Sequence, residues 1–378
     1  MAWVEKTPKD KGHAWRVGYR GPDQRQRYKT FTRKADADLF AATVETDMSR
    51  GDWTDPRLGR ITVADWADQV EASRLNRRPS TIARDDSYLR NLILPTFADH
   101  TLVQVQPVAV QQWVATLNAT GYAPATIRKA YELLARIFTT AVDSGLIART
   151  PCRSVKLPKI EQSDKRYLTP AEIRHLADVI DPRFHALVLT AAYSGARYGE
   201  LAGLAVDHYE PLKRAIRIER NLTEVSGRLA FGETKTRAAK RTVSIPTWLV
   251  DVLAQHIAAY PGDDGLIFTA PAGGPLRRTS FRTRHWKPAV QSSVGDPCRF
   301  HDMRHTHVAL LIDQGAHPSV IASRLGHTSV RTVLDVYGHL FEGLDRDIAD
   351  ALDAPSDAPA AYFLPTSGQN KVIDFPAK

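Results

Sequence analysis

Phe300-His301-Asp302-Met303-Arg304-His305-Thr306 sets two histidines and an arginine within five residues, late in a chain of 378. If the run is helical, His301 and Arg304, three apart, share a face. Downstream comes Leu325-Gly326-His327, which reads as a helix end at glycine, where a histidine can meet terminal carbonyls. Ten residues on stands Tyr337, in Val336-Tyr337-Gly338-His339. Far upstream, Ser194-Gly195-Ala196-Arg197-Tyr198-Gly199-Glu200 brings another arginine, with Glu200 three residues after it. Taken singly these pieces are ordinary. Arg197 and Glu200 would make an intrahelical ion pair worth roughly 0.3 kcal/mol. A His-x-x-Arg pair is common on helices, and a late tyrosine is usually core. His301, His305, His307, His327 and His339 raise the question of a metal. His-x-x-x-His without an intervening Glu is weak, and neither carboxylate nor cysteine stands at ligand spacing, so neither metal nor cofactor is expected.

Composition bounds the function classes. Lys and Arg number 51 against 42 Asp and Glu, a net charge of +9, which points to a polyanionic partner, most simply nucleic acid. The surplus is concentrated: residues 1–34 hold ten Lys/Arg and three Asp/Glu. Cys152 and Cys298 lie far apart and suggest neither a disulfide framework nor a metal site. A reducing cytoplasm is the natural setting. Apolar runs fall short of a membrane span, and the N-terminus lacks the apolar stretch of a signal peptide. Internal repeats are not apparent.

The length admits two or three domains. Residues 1–60 read as a small basic β-sheet unit. His13–Arg20 and Gln26–Phe31 alternate around a Gly21-Pro22-Asp23 turn, and a helix follows from about Arg33 to Arg50. Arginines and aromatics interleave there, so Arg16, Arg20, Arg27 and Lys29 are candidate DNA contacts. Residues 61–149 read as a helical bundle of four amphipathic helices. Thr62 caps the first, Pro79 opens the second (stopped by Pro95), Pro107 opens the third and Pro124 the fourth. Arg84, Arg128, Lys129 and Arg136 could line a phosphate-facing side. Residues 150–166 are an extended basic linker. Thr169-Pro170-Ala171-Glu172 is a capping box that opens a third domain over 167–352, with Phe184–Ala192 as an apolar helix. Strands are expected at 215–218, 229–231 and 242–246, with Lys235 on a turn between the last two. Residues 353–378 form a tail ending in the apolar stretch Val372–Phe375. The fold class is therefore mainly α with small β-sheets (α+β).

Order and spacing change the weight of the separate pieces. Arg197, Lys235, His301, Arg304, His327 and Tyr337 resemble the signature of the tyrosine recombinases, the phage integrase family, across about residues 61–345. Met303 stands where that family most often has Leu, a swap that fills the same apolar slot. The N-terminal unit is similar to the arm-type DNA-binding domains of phage and mobile-element integrases, and the bundle to their core-binding domain. The resemblance implies strand cleavage and rejoining without metal or ATP. Attack on a phosphodiester piles charge onto its non-bridging oxygens, which Arg197 and Arg304 can clamp with fixed guanidinium forks. Tyr337 would be the nucleophile. Its hydroxyl has an ordinary pKa of about 10 and must lose its proton during attack. By the same resemblance His301 is the base, Lys235 (or Lys240 close by) the acid for the leaving 5′-oxygen, and His327 a donor to a non-bridging oxygen. Glu200 would orient Arg197. The partners implied are double-stranded DNA attachment sites and further copies of the chain in a tetramer on DNA. An excision directionality factor and a host DNA-bending protein are further expectations. The whole would act on DNA in the cytoplasm of a bacterial host, integrating and excising a phage or mobile element. A type IB topoisomerase-like nicking enzyme, or a silent DNA-binding protein of the same fold, are the alternatives.

Overall fold

The computed structural model describes residues 2–8, 13–21, 24–50, 58–161, 166–233, 240–295 and 297–341. The chain divides into two units, Met1–Ser163 and Asp164–Lys378.

In the first unit, β1 (Ala2–Pro8), β2 (His13–Arg20) and β3 (Gln26–Phe31) form an antiparallel sheet in the order β1-β2-β3. Helix α1 (Lys34–Arg50) covers one face. The period of two sorts the side chains. Val17 and Tyr19 are buried on the α1 side, where the Tyr19 ring meets Phe40. Gly18 opens the other side to Trp3, whose ring lies so close that a Cβ there would come within 2.4 Å of it.

The helical part of this unit contains α2 (Val63–Ser73), α3 (Pro79–Tyr88), α4 (Leu94–Phe97), α5 (Pro107–Ala119) and α6 (Pro124–Asp143). Its core includes Phe97, Trp113, Ile127, Leu134 and Phe138. Thr62 caps α2 by accepting from the Asp65 amide, as its type dictates. The expected stop at Pro95 does not occur. The chain widens into a π-helical turn over Leu89–Ile93 and continues into α4 with Pro95 in its first turn. A helix start is where the missing N–H of proline costs least. The Trp113 indole satisfies the Leu92 carbonyl inside the wide turn at 2.7 Å. Residues 152–157 are docked on the bundle: Cys152, Val155 and Leu157 pack on its core, and Gln111 brackets Lys156 through both its amide and its carbonyl.

In the second unit, Thr169 and Glu172 form the capping box of α7 (Pro170–Val179). Helix α8 (His185–Ser194) is buried almost all round, against α7, α10 (Thr247–Ala259) and α13 (Asp302–Asp313). A helix apolar on every side belongs at the centre of a core. The remaining helices are α9 (Tyr198–Ala202), α11 (Arg278–Phe281), α12 (Lys287–Ser292), α14 (Pro318–Leu325) and α15 (Arg331–Tyr337). One sheet runs in the order β4 (Tyr209–Glu210), β5 (Ala215–Ile218), β8 (Arg241–Ser244), and β6 (Arg220–Val225) pairs with β7 (Arg228–Glu233) in another. The three expected strands are present as β5, β7 and β8, and β6 is an addition to them. β6 went unread because Arg-Asn-Leu-Thr-Glu-Val buries only Leu222. With β6 present, the turn between β6 and β7 is Ser226-Gly227, both at positive φ, and β7 and β8, the described strands that flank Lys235 in sequence, belong to different sheets.

Candidate active site

Glycines at two helix ends set the frame. α8 stops at Gly195 and α14 at Gly326, both left-handed. A Cβ on Gly195 would come within 2.6 Å of the His307 ring and 2.9 Å of a Leu325 methyl, so only glycine lets α8, α13 and α14 approach this closely. Arg304 uses that approach. Its guanidinium donates to the Gly195 carbonyl at 2.6 Å and the Leu325 carbonyl at 2.7 Å, and meets His327 Nε2 at 3.0 Å. Both helix ends therefore face the same cation, one through the Gly195 carbonyl and the other through the Leu325 carbonyl and His327. Arg197 caps α9 and donates through Nη1 to Glu200 at 2.8 Å, while its amide donates to the other carboxylate oxygen at 2.9 Å. Tyr337, last residue of α15, is buried, and its hydroxyl lies 2.7 Å from His305 Nδ1.

The structure brings together Arg197, Glu200, Arg304, His327 and Tyr337. His301 stands at the start of α13 with its ring edge-to-face on His305, 5.2 Å between centroids. The histidine within hydrogen-bond distance of the tyrosine hydroxyl is His305, not His301. Lys235 lies outside the described residues. Lys240 lines a cleft of about 410 Å³ with Arg241, Ser323, His327 and Ser329.

Other members carried no sequence signal of their own. Arg241 on β8 donates to Glu200 at 2.9 Å and to the Arg324 carbonyl at 2.8 Å. Arg324 donates to His307 Nε2 at 2.9 Å and to the Ser244 carbonyl at 2.7 Å. His307 Nδ1 faces the Ala192 carbonyl at 2.8 Å, so its ring ties α14 to the end of α8. His305 was in plain view beside Arg304. What sequence could not supply is that the turn after Gly326 swings α15 back onto α13.

The electrostatics are those of a cation-rich site. Burial, with Arg197 beside it, pushes Arg304 down to about 9. Burial opposes ionisation of Glu200, yet Arg241 and Arg197 outweigh it and hold the carboxyl below its usual range. Burial, then Arg304 and Arg197, lowers His327 to about 4. Its Nε2 accepts from Arg304 in this neutral state, which places the remaining proton on Nδ1. His301 exposes more of its surface than its neighbours do. Partial desolvation against the site wall, together with His305, Arg304 and Arg197, still lowers it to about 4. Burial raises Tyr337 to about 12 against the pull of Arg304.

Residues 166–343 match the phage integrase family. Over 349 residues the chain is 30% identical to the prophage phiRv2 integrase of Mycobacterium tuberculosis strain H37Rv, covering 89% of this chain and 92% of that one. The chain belongs to the phage integrase family. It is a tyrosine-type site-specific recombinase. The Tn1549 transposon integrase, solved with a circular intermediate DNA, superposes with a TM-score of 0.69 at 19% identity over 77% of this integrase and 99% of that chain. A lambda integrase tetramer bound to a Holliday junction gives 0.56 at 18% identity over 86% and 95%. Those two likenesses are of fold.

Outside the active site, the cations expected on DNA fall into distinct environments in the integrase. Arg16 and Arg20 share the open sheet face with Trp3 and Tyr28. Arg16 stacks on Tyr28 at 4.8 Å and pairs with Glu5 at 2.6 Å. Arg27 is buried and donates to the Arg25 carbonyl, and Lys29 lies over Phe40 of α1 at 4.4 Å. Both belong to the covered face, because β3 pairs Tyr19 with Arg27 and Val17 with Lys29. Of the four candidate contacts in this sheet, Arg16 and Arg20 therefore lie on the open face and Arg27 and Lys29 on the covered one. In the bundle, Arg84 pairs with buried Asp85 at 2.7 Å and Lys129 with Glu132 at 2.7 Å. Arg128 Nε has no hydrogen-bond partner among the described residues. No described helix is long and apolar enough to cross a membrane.

Proposed function

We propose that this integrase cuts and rejoins double-stranded DNA at attachment sites through a 3′-phosphotyrosyl link on Tyr337. The observation that carries the reading is the convergence on Arg304: carbonyls from two helix ends and His327 hold its fork rigid within the field of Tyr337. A preorganised guanidinium costs no reorganisation as charge develops on the phosphate. Arg197, steadied by Glu200, supplies the second clamp. Lys235 supplies the proton for the leaving 5′-oxygen, with Lys240 as the nearby alternative. His327, its Nε2 engaged by Arg304, reaches a phosphate oxygen once its ring turns. Bond energy stays in the phosphotyrosine, so rejoining needs no nucleotide.

The open sheet face of residues 1–60 binds arm DNA, and the bundle and catalytic unit hold the core site. Arg16, Arg20, Arg84, Arg128 and Lys129 remain the contacts of choice, with Arg27 and Lys29 reserved for the sheet's own packing. The working assembly is a tetramer on DNA, in the cytoplasm of a bacterial host. A directionality factor for excision and a DNA-bending host protein complete the expected partners.

The test is an SDS-resistant protein–DNA adduct, trapped in cells and sequenced. It should persist in EDTA and disappear in Tyr337→Phe. An adduct that survives the substitution refutes the nucleophile.

A further inference from the structure

His305 has no role in the reading above, yet its ring nitrogen holds the reacting hydroxyl. Its Nδ1 is 2.7 Å from Tyr337 Oη, within the range of direct proton transfer. The position is stiff. His305 follows Arg304 on α13, and Arg304 is pinned by two carbonyls and His327. Tyr337 ends α15 with its ring buried in the cluster that includes Val308, Ile312 and Leu325. His301, one turn earlier, leans on the edge of the His305 ring. It is placed to steady that ring.

We propose that His305 is the proton acceptor for Tyr337, with His301 as the residue that positions it. The assignment rests on Tyr337 being the nucleophile. As Oη bonds to phosphorus, its proton passes to His305 Nδ1. The bond from phosphorus to the 5′-oxygen breaks, and the electron pair leaves with that oxygen. The oxygen takes a proton from a cationic acid of the site, for which Lys235 is the expected group. Rejoining runs the same steps backward: the imidazolium returns its proton to the tyrosine oxygen. The imidazolium forms beside a phosphate that carries its highest negative charge at that moment, which favours the transfer. Among the described residues, the ionisable groups around the pair are His301 and Arg304 on α13, Arg197 ahead of α9, His327 after α14, Tyr167 before α7 and His339 beyond α15. The Tyr167 hydroxyl is 3.2 Å from His339 Nε2.

The experiment measures single-turnover adduct formation against pH, on a duplex bearing the sequence recovered from the trapped adducts. His305→Asn keeps a hydrogen-bond acceptor near the place of Nδ1 without its basicity, and His305→Gln is a second polar replacement at this half-buried site. Both should slow adduct formation on the order of 100-fold or more at neutral pH while DNA retention in a gel stays unchanged. The deficit should shrink as pH rises and hydroxide takes over. A 5′-bridging phosphorothiolate, whose leaving group needs no acid, should not repair it. His301→Asn should lose less than tenfold and keep the wild-type pH profile. Rates within threefold of wild type in both His305 variants overturn the assignment. So does repair by the phosphorothiolate, or a pH-dependent deficit found in His301→Asn instead. An adduct formed by Tyr337→Phe would instead remove the nucleophile itself, a failure of the underlying reading.

Discussion

Single residues here act by shape as much as by charge. Gly195 contributes no side chain, yet its left-handed turn and bare Cα admit the His307 ring and expose its carbonyl to Arg304. Gly195→Ala combines left-handed strain with overpacking and should cost roughly 3 kcal/mol, read as a lower thermal midpoint. An unchanged midpoint would mean that the helix ends can part freely. Glu200 shows charge used as a brace. It is the carboxylate shared by Arg197 and Arg241, and without it two cations face each other near a buried core. Glu200→Gln should therefore slow adduct formation while leaving the duplex bound. Equal losses in both would place Glu200 in binding alone. The candidate site residues were legible one by one because order and spacing survive in sequence. His305, Arg241, Arg324 and His307 were not, because their roles depend on which elements turn back on which.

Elements carry the next set of consequences. The bundle was legible from its apolar stripes, since Val110, Trp113, Val114 and Leu117 recur at helical spacing and all face inward. The π-turn at Leu89–Ile93 was not, because proline announces a break and says nothing of a helix that widens before it. Across the same bundle, Asp85 joins α3 to Arg136 of α6 and to Arg74 just beyond α2, and also accepts from its neighbour Arg84. Burial opposes its ionisation, and the arginines overcome this and lower its pKa. Asp85→Asn leaves these cations facing one another and should cost about 2 kcal/mol, the low side of a buried pair because the arginines are partly solvated. Chemical denaturation of residues 58–161 would measure it. The Asp85 contribution is full above the ordinary carboxylate pKa and fades as pH falls through the lowered value.

At the scale of the whole molecule, acid should affect the two units at different points. Burial lowers His307 to about 3, so the folded form stays neutral while the unfolded chain takes up a proton near 6.5. The catalytic unit should lose up to about 1.4 kcal/mol per pH unit from this group as pH falls from 6.5 toward 3. The bundle, braced by Asp85, should hold to about pH 4. Hydrogen exchange at pH 5 should therefore expose α8 and α13 before α5 and α6, and the reverse order would contradict the linkage. Deleting residues 1–60 should abolish integration yet spare adduct formation on a core-site duplex. Loss of that adduct would count against a separate arm-binding role. Arg304 and Arg324 are both held below the ordinary arginine range, by burial and then by the cations around them. A phosphodiester entering the cleft relieves that crowding, and binding the folded form alone raises its stability. The idle protein is then its own most fragile state. In a cell with proteases, copies without a target should be cleared first, so that the abundance of the integrase follows the DNA it can hold.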